Sequence, residues 1–219
     1  MDKKGFKRAL LFGSSGLVGS NCLNELLASH DYSKVYAPTR RVLDQKSDKL
    51  INPVIDFEKI DSSHEKFRVD DLYCCLGTTK AKAKSLEAFI HIDSELVVKT
   101  AELAFHAGCK RMVYISSMGA SKDAFSNYLK IKARTERALT DIGFETLHII
   151  RPSILLGDRA EERKLESMVI RMMNSTSFIF NGPFLKYRPV QAHQVAKFML
   201  ACMAKKEKGV FIHESGEIV

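Results

Sequence analysis

Six short, almost wholly apolar runs punctuate the chain between Ala9 and Ile150, and each of the first five is followed by a segment long enough to hold a helix. The runs are Ala9-Leu10-Leu11-Phe12, Val35-Tyr36-Ala37, Val54-Ile55, Leu72-Tyr73-Cys74-Cys75-Leu76, Met112-Val113-Tyr114-Ile115 and Leu147-His148-Ile149-Ile150. A strand with one wet face alternates apolar and polar residues, whereas a strand covered on both faces is apolar throughout. The pattern therefore predicts an α/β fold: a doubly wound, Rossmann-type parallel sheet with helices on both sides. Leu17, Val18, Cys22, Leu23, Leu26 and Leu27 recur at helical spacing after the first run. Leu86, Phe89, Ile90, Leu96, Val97, Ala101 and Ala104 do so between the fourth and fifth, ended by Gly108. Asp123 to Ile142, closed by Gly143, reads as the next helix.

From Ser153 the pattern loosens. Leu165 to Met173 reads as helix, Phe178 to Tyr187 as an aromatic loop, Gln191 to Ala204 as helix, and Val210-Phe211-Ile212 as a last strand. No repeat, linker or break in composition marks a second domain. The expectation is one domain, with residues 1–152 as a cofactor-binding core and 153–219 as a small substrate lobe that does not fold independently. Of the 219 residues 45% are hydrophobic, enough for a core without disulfides or metals.

Thirty-four Lys and Arg against 26 Asp and Glu give a net charge of +8. The excess is spread along the chain, so it favours anionic partners without choosing among nucleic acid, an acidic membrane and a phosphorylated small molecule. Met1-Asp2-Lys3-Lys4 and the four apolar residues before Gly13 do not read as a signal peptide, and no run approaches the ~18 apolar residues of a membrane span. A cytoplasmic protein with no membrane partner is expected. Its five cysteines contain no C-x-x-C pair and read as reduced thiols. The seven histidines show no metal-ligand spacing with cysteine or carboxylate, and no metal is expected.

Gly13-Ser14-Ser15-Gly16-Leu17-Val18-Gly19 closes the first run and opens the first helix, the context in which a glycine turn lets a pyrophosphate reach backbone amides and the positive end of a helix dipole. Gly13, Ser15, Gly16, Leu17, Val18 and Gly19 are thus candidate cofactor contacts. NAD-binding folds place an acidic residue at the end of the second strand to hold the ribose 2′-hydroxyl. Here Thr39-Arg40-Arg41 stands there, and the guanidiniums of Arg40 and Arg41 suit a 2′-phosphate, which favours NADP(H). Asp56 ends the third run, either where an adenine amino group is recognised or as a helix cap. Leu76, Gly77 and Thr78 end the fourth, where backbone must pass close to the cofactor.

After the fifth run come Ser116-Ser117, and eleven residues beyond Ser117 lies Tyr128, four before Lys132. Tyr128 and Lys132 share a helix face. A phenol titrates near ~10, and an adjacent ammonium favours its phenolate, which suits proton transfer to a carbonyl oxygen as hydride arrives. Tyr128 is the candidate acid, Lys132 its partner and a grip on the nicotinamide ribose, and Ser117 the donor that holds the oxygen. Ser116 rivals Ser117, because strand alternation turns only one of them into the site.

Together these motifs resemble the short-chain dehydrogenase/reductase superfamily, in an atypical form. More closely, the chain is similar to the Tat-interacting oxidoreductase family of NADPH-binding proteins. The likeness runs from about Ala9 to Arg163 and is most specific at Cys74-Cys75-Leu76-Gly77-Thr78-Thr79. It implies that Ser15, Gly16, Leu17, Val18, Arg40, Arg41, Leu76, Gly77, Tyr128, Lys132, Leu155 and Arg163 contact NADPH, with Tyr128 as proton acceptor. Leu17-Val18 departs from the Glu-Thr pair of that family and removes a hydroxyl near the phosphates.

Three functions compete at this level: an NADPH-dependent oxidoreductase acting on a small carbonyl or alcohol, an NADPH-sensing protein that regulates a protein partner, and a nucleic-acid binder supported by net charge alone. Lys80, Lys82 and Lys84 read as a solvated basic loop or an attractor of anionic substrate. Met168, Met172, Met173, Phe178, Phe180, Phe184 and Tyr187 suit either lobe packing or an apolar substrate pocket. Ser153 follows the sixth run, where the superfamily turns toward substrate. By analogy with related folds, Ala101 to Ala107 and Ala133 to Leu139 could form a homodimer face.

Overall fold

A computed structural model describes residues 6–60, 67–78, 83, 85–157 and 188–218. Its main sheet is built from β1 (Lys7–Phe12), β2 (Tyr32–Tyr36), β3 (Leu50–Ile51), β4 (Asp71–Cys74), β5 (Arg111–Ile115), β6 (Thr146–Arg151) and β9 (Gly209–Glu214), in the order β3-β2-β1-β4-β5-β6-β9. Every pairing is parallel. β7 (Leu155–Leu156) and β8 (Val190–Gln191) form a separate parallel pair.

Strand alternation sends successive side chains of β1 into two cores. Ala9 and Leu11 join Leu23 and Leu26 of α1 (Leu17–Ala28) and Val195 and Met199 of α5 (Ala192–Ala204) on one face. Leu10 and Phe12 join Val97 and Ala101 of α3 (Leu96–His106) and Leu139 of α4 (Asn127–Ile142) on the other. All four β1 side chains are at most 1% exposed. Truncating such a leucine to alanine costs about 2–5 kcal/mol. β1 carries β2 on one flank and β4 on the other, so the chain reverses its winding there and opens a crevice at the carboxyl ends of both strands.

Several sequence expectations move. β3 lies at Leu50–Ile51 rather than Val54-Ile55, because Pro53 has no amide for the ladder; Val54 keeps only an isolated bridge to Thr39. The β4–β5 connection is not one regular helix. α2 (Leu86–Ile90) and α3 are joined through a π turn, His91–Glu95. α4 begins at Asn127, not Asp123, and ends at Gly143, whose φ of 90° suits a left-handed cap. The expected helix from Gln191 to Ala204 and the expected last strand at Val210-Phe211-Ile212 are present as α5 and β9, the latter the seventh strand of the sheet. Residues 158–187, with Arg163, the methionines and the aromatic loop, lie outside the described residues, as do Thr79, Lys80, Lys82 and Lys84.

Candidate active site

β1 leads into a turn that is compressed from both sides. Gly13 has φ 81°, and a Cβ there would stand 2.4 Å from the Cys75 carbonyl oxygen. The Gly16 amide donates to the Gly13 carbonyl at 2.8 Å, and a Cβ on Gly19 would fall 2.0 Å from that same oxygen. Only hydrogen fits at these positions, which is what a close approach of β1, β4 and α1 requires. No side chain caps α1 at Gly16 and no acidic residue occupies its first turn. The helix therefore keeps amide donors and the positive end of its dipole for an anion. The buried hydroxyl of Ser14, in the same turn, has no hydrogen-bond partner among the described residues. These are the features a pyrophosphate would satisfy, so the turn fits a dinucleotide.

A cleft of about 380 Å³ opens beside this turn. Ten of the residues expected at the site line it: Gly16, Leu17, Val18, Leu76, Gly77, Thr78, Ser116, Tyr128, Lys132 and Leu155. Ser153 lines it too, along with Cys75, Ile115 and Asp93. Four strand ends and α4 thus meet at one cavity. Leu17 packs against Gly157, where an added Cβ would lie 2.5 Å from its Cδ1.

Lys132 is buried and tightly held. Its Nζ donates to the Tyr114 hydroxyl at 3.1 Å and pairs with Asp93 Oδ1 at 2.9 Å. Burial works against its charge, but the phenolic oxygen of Tyr114, the Asp93 carboxylate and Tyr128 outweigh that and hold the ammonium above its ordinary pKa. Asp93 also accepts from the Thr78 amide at 2.7 Å, so it ties the loop after β4 to α4. Tyr128 is half-buried, its ring tilted against Phe89 at 5.2 Å between centroids.

Asp93 was not legible as a site residue from spacing, yet a signal existed. Phe89, Asp93 and Val97 recur at i, i+4 and i+8, so an acid interrupts the buried stripe of the α2–α3 region. A charge on a buried face needs a partner, and Lys132 is that partner.

Of the two serines, Ser116 faces the cleft and Ser117 does not. The Ser116 hydroxyl donates to Glu136, which Arg151 grips through two hydrogen bonds at 3.0 and 2.6 Å. Arg151 extends the network to Glu214 at 3.1 Å. Among the described residues the Ser117 hydroxyl reaches only the Met118 carbonyl, at 3.5 Å. The assignment of Ser117 to the oxygen-holding role therefore finds no support in the placement of its side chain.

Arg40 and Arg41 lie just past β2, exposed, with Thr39 Oγ1 donating to the Arg41 carbonyl at 2.6 Å. Asp56 does not end a strand: it caps a 3-10 turn, Phe57–Lys59, with Oδ1 accepting from the Glu58 amide at 3.1 Å. Ser15 borders a neighbouring depression with Gly16 and Leu17. Among the described residues no helix is long and apolar enough to cross a membrane.

Comparisons with known proteins bear on the same residues. A family model described as NAD(P)H-binding matches residues 13–206. Protein HTATIP2 of Rattus norvegicus is 36% identical over 173 residues, 77% of this chain and 71% of that protein. Protein FMP52, mitochondrial, of Eremothecium gossypii is 32% identical over 216 residues, 96% of this chain and 95% of that protein. Among solved structures, MoeE5 in complex with UDP-glucose and NAD superimposes with a TM-score of 0.71 at 16% identity, covering 94% of this chain and 74% of that one. The dTDP-4-dehydrorhamnose reductase of Bacillus anthracis in complex with NADP gives 0.63 at 16% identity, covering 96% and 75%. At such identities the solved structures speak to the fold alone.

Proposed function

The chain belongs to the NAD(P)H-binding family, and from that membership we propose that it is an NADPH-dependent oxidoreductase of the short-chain dehydrogenase/reductase type, acting on a small carbonyl or alcohol. The observation that carries the reading is one cleft walled by both the glycine turn and the Tyr128–Lys132 pair. Arg40 and Arg41 past β2 support the phosphorylated cofactor, since a 2′-phosphate accepts forked hydrogen bonds and a bare ribose there would call for an acid.

Bound NADPH supplies the hydride for the carbonyl carbon. In the direction of reduction, Tyr128 gives its hydroxyl proton to the carbonyl oxygen, so that an alcohol leaves and the phenol is reprotonated from solvent. Lys132, kept charged by Asp93, stabilises the phenolate formed at Tyr128. Ser116 orients the substrate oxygen once its hydroxyl leaves Glu136. Transfer of label from 4-deuterated NADPH to a panel of aldehydes, ketones and quinones tests the reading. Tyr128→Phe should lower turnover by about 10²- to 10⁴-fold with cofactor affinity little changed; turnover indifferent to this change ends the proposal.

One observation favours a second reading, an NADPH-responsive regulatory protein. Ser116 and Lys132 have their polar groups satisfied internally, by Glu136 and by Asp93 with Tyr114. That reading requires tight NADPH binding, a protein partner whose affinity follows cofactor occupancy, and no effect of Tyr128→Phe on either.

A further inference from the structure

Between the sheet and α5, away from the cleft walls, His148, Cys202 and His213 converge, all three buried. His148 belongs to β6, His213 to β9 and Cys202 to α5. They are 54 and 11 residues apart along the chain, which is why spacing gives no sign of a metal set. The β6–β9 pairing and the docking of α5 bring them together.

Their ligand atoms lie close enough together to share one cation. His148 Nδ1 stands 3.0 Å and Cys202 Sγ 3.7 Å from His213 Nε2, and one ligand atom from each residue lies within 4.8 Å of the others. Zinc bonds of about 2.0–2.1 Å to nitrogen and about 2.3 Å to sulfur place tetrahedral ligands roughly 3.3–3.6 Å apart. The rings are held in place: His148 stacks on Phe211 at 5.1 Å, and Phe198 meets His213 edge-on at 5.3 Å.

Two further contacts point to a cation. His213 Nδ1 lies 2.9 Å from Glu217 Oε2, so the carboxylate keeps the proton on Nδ1 and leaves the Nε2 lone pair facing the cluster. A carboxylate behind a ligating histidine is the usual outer-shell arrangement at zinc. With His213 Nε2 an acceptor, the proton between the two rings sits on His148 Nδ1. His148 Nε2 is buried with no partner among the described residues. Among the described residues only the hydrogen bond to His213 holds that tautomer, so a cation displacing it frees the Nδ1 lone pair as the proton shifts to Nε2.

We propose that His148 Nδ1, His213 Nε2 and the Cys202 thiolate bind a divalent cation of the zinc class, with water in the fourth position. On binding, the Cys202 proton leaves to solvent, the His148 proton moves from Nδ1 to Nε2, and no electron is transferred. The charges close: a dication, one thiolate and the Glu217 carboxylate sum to zero, as an interior site requires.

The test is a cobalt(II) titration of untagged, metal-stripped, full-length protein. One equivalent should produce a thiolate-to-cobalt charge-transfer band, and one equivalent of zinc(II) should abolish it. Cys202→Ser should lack the band while circular dichroism shows a native fold. Glu217→Gln, at a side chain 51% exposed, should weaken cobalt affinity by about 10- to 100-fold without altering NADPH binding. No band in the folded wild type, or a band that survives Cys202→Ser, overturns the proposal. Should Cys202→Ser not fold, Glu217→Gln decides, and wild-type affinity in that variant overturns it equally.

Discussion

Lys132 and Asp93 pair at 2.9 Å with side chains only 4% and 1% exposed. Moving two charges out of water is expensive, and it is offset only where the remaining protons and lone pairs find partners. The Tyr114 hydroxyl accepts from the Lys132 ammonium and the Thr78 amide donates to Asp93 Oδ2. Asp93→Asn leaves the ammonium stranded and should lower stability by about 3–5 kcal/mol in urea unfolding. Asp93→Asn with Lys132→Met, which removes both charges, should recover most of the loss. The folded state raises the Lys132 pKa above 10.5, so its share of stability is complete below pH 10.5 and lost only as pH climbs beyond it. Wild-type stability should therefore show no Lys132-linked change between neutrality and pH 9. A penalty under about 1 kcal/mol, the range of surface pairs, would mean the pair is open to solvent.

Arg40 and Arg41 are exposed in the described structure, so they have little packing to lose. Arg40→Ala/Arg41→Ala should leave the melting temperature nearly unchanged and weaken NADPH binding by about 2 kcal/mol, the low end for truncating one partner of a charge pair that binding desolvates. NADH affinity should stay as it is. Calorimetric titration with both dinucleotides checks it; equal losses for the two would place the arginines elsewhere than at the 2′-phosphate.

Thiol chemistry offers a test of the interior. Burial pushes the Cys74 and Cys109 thiols up to about 12. A raised pKa means less thiolate, and only thiolate alkylates. At pH 8 about one molecule in 10⁴ would carry the reactive form at either position, before access is considered. Mass spectrometry after iodoacetamide should find both unmodified in the native protein and both modified in urea. Rapid native modification of either would show that its strand opens.

What the sequence made legible divides along burial. Leu72 to Cys74 and Met112 to Ile115 are covered on both faces, so apolar continuity located β4 and β5 almost to the residue. At the sheet edge the signal fails. β3 is two residues long, and Pro53 ends its pairing before Val54-Ile55 begins. Asp56 looked like a strand end for the same reason. At the site, residues set by backbone position, Gly16 to Val18 and Leu76 to Thr78, came directly from strand–helix junctions. Those set by side-chain partnership did not. Asp93 sits on a π turn that shifts helical register, and the choice between Ser116 and Ser117 depends on which side of β5 the chain leaves. The His148, Cys202 and His213 cluster is purely tertiary, so no local pattern carries it.

Gly19 and Gly108 separate two reasons for a glycine, and with them the role of the turn. Gly19 has an ordinary helical backbone, but a Cβ there would lie 2.0 Å from the Gly13 carbonyl oxygen. Gly108 has φ 98° with nothing within 4 Å of its Cβ position. Alanine is the better helix former by about 1 kcal/mol, so propensity alone predicts that Gly19→Ala stabilises. The contact is with backbone, which cannot rotate away, and moving it shifts the amides of the turn. Gly19→Ala should therefore destabilise by about 1–3 kcal/mol and weaken NADPH binding at least tenfold. Gly108→Ala should destabilise by about 1–2 kcal/mol through left-handed strain and leave NADPH affinity unchanged, because Gly108 lies at the amino end of β5, opposite the cleft. Urea unfolding and cofactor titration on both variants read these out. If both lose cofactor affinity in proportion to stability, the turn contributes to binding only through the fold; if Gly19→Ala alone loses it, the close packing of Gly13 and Gly19 is what holds the pyrophosphate-binding amides in place.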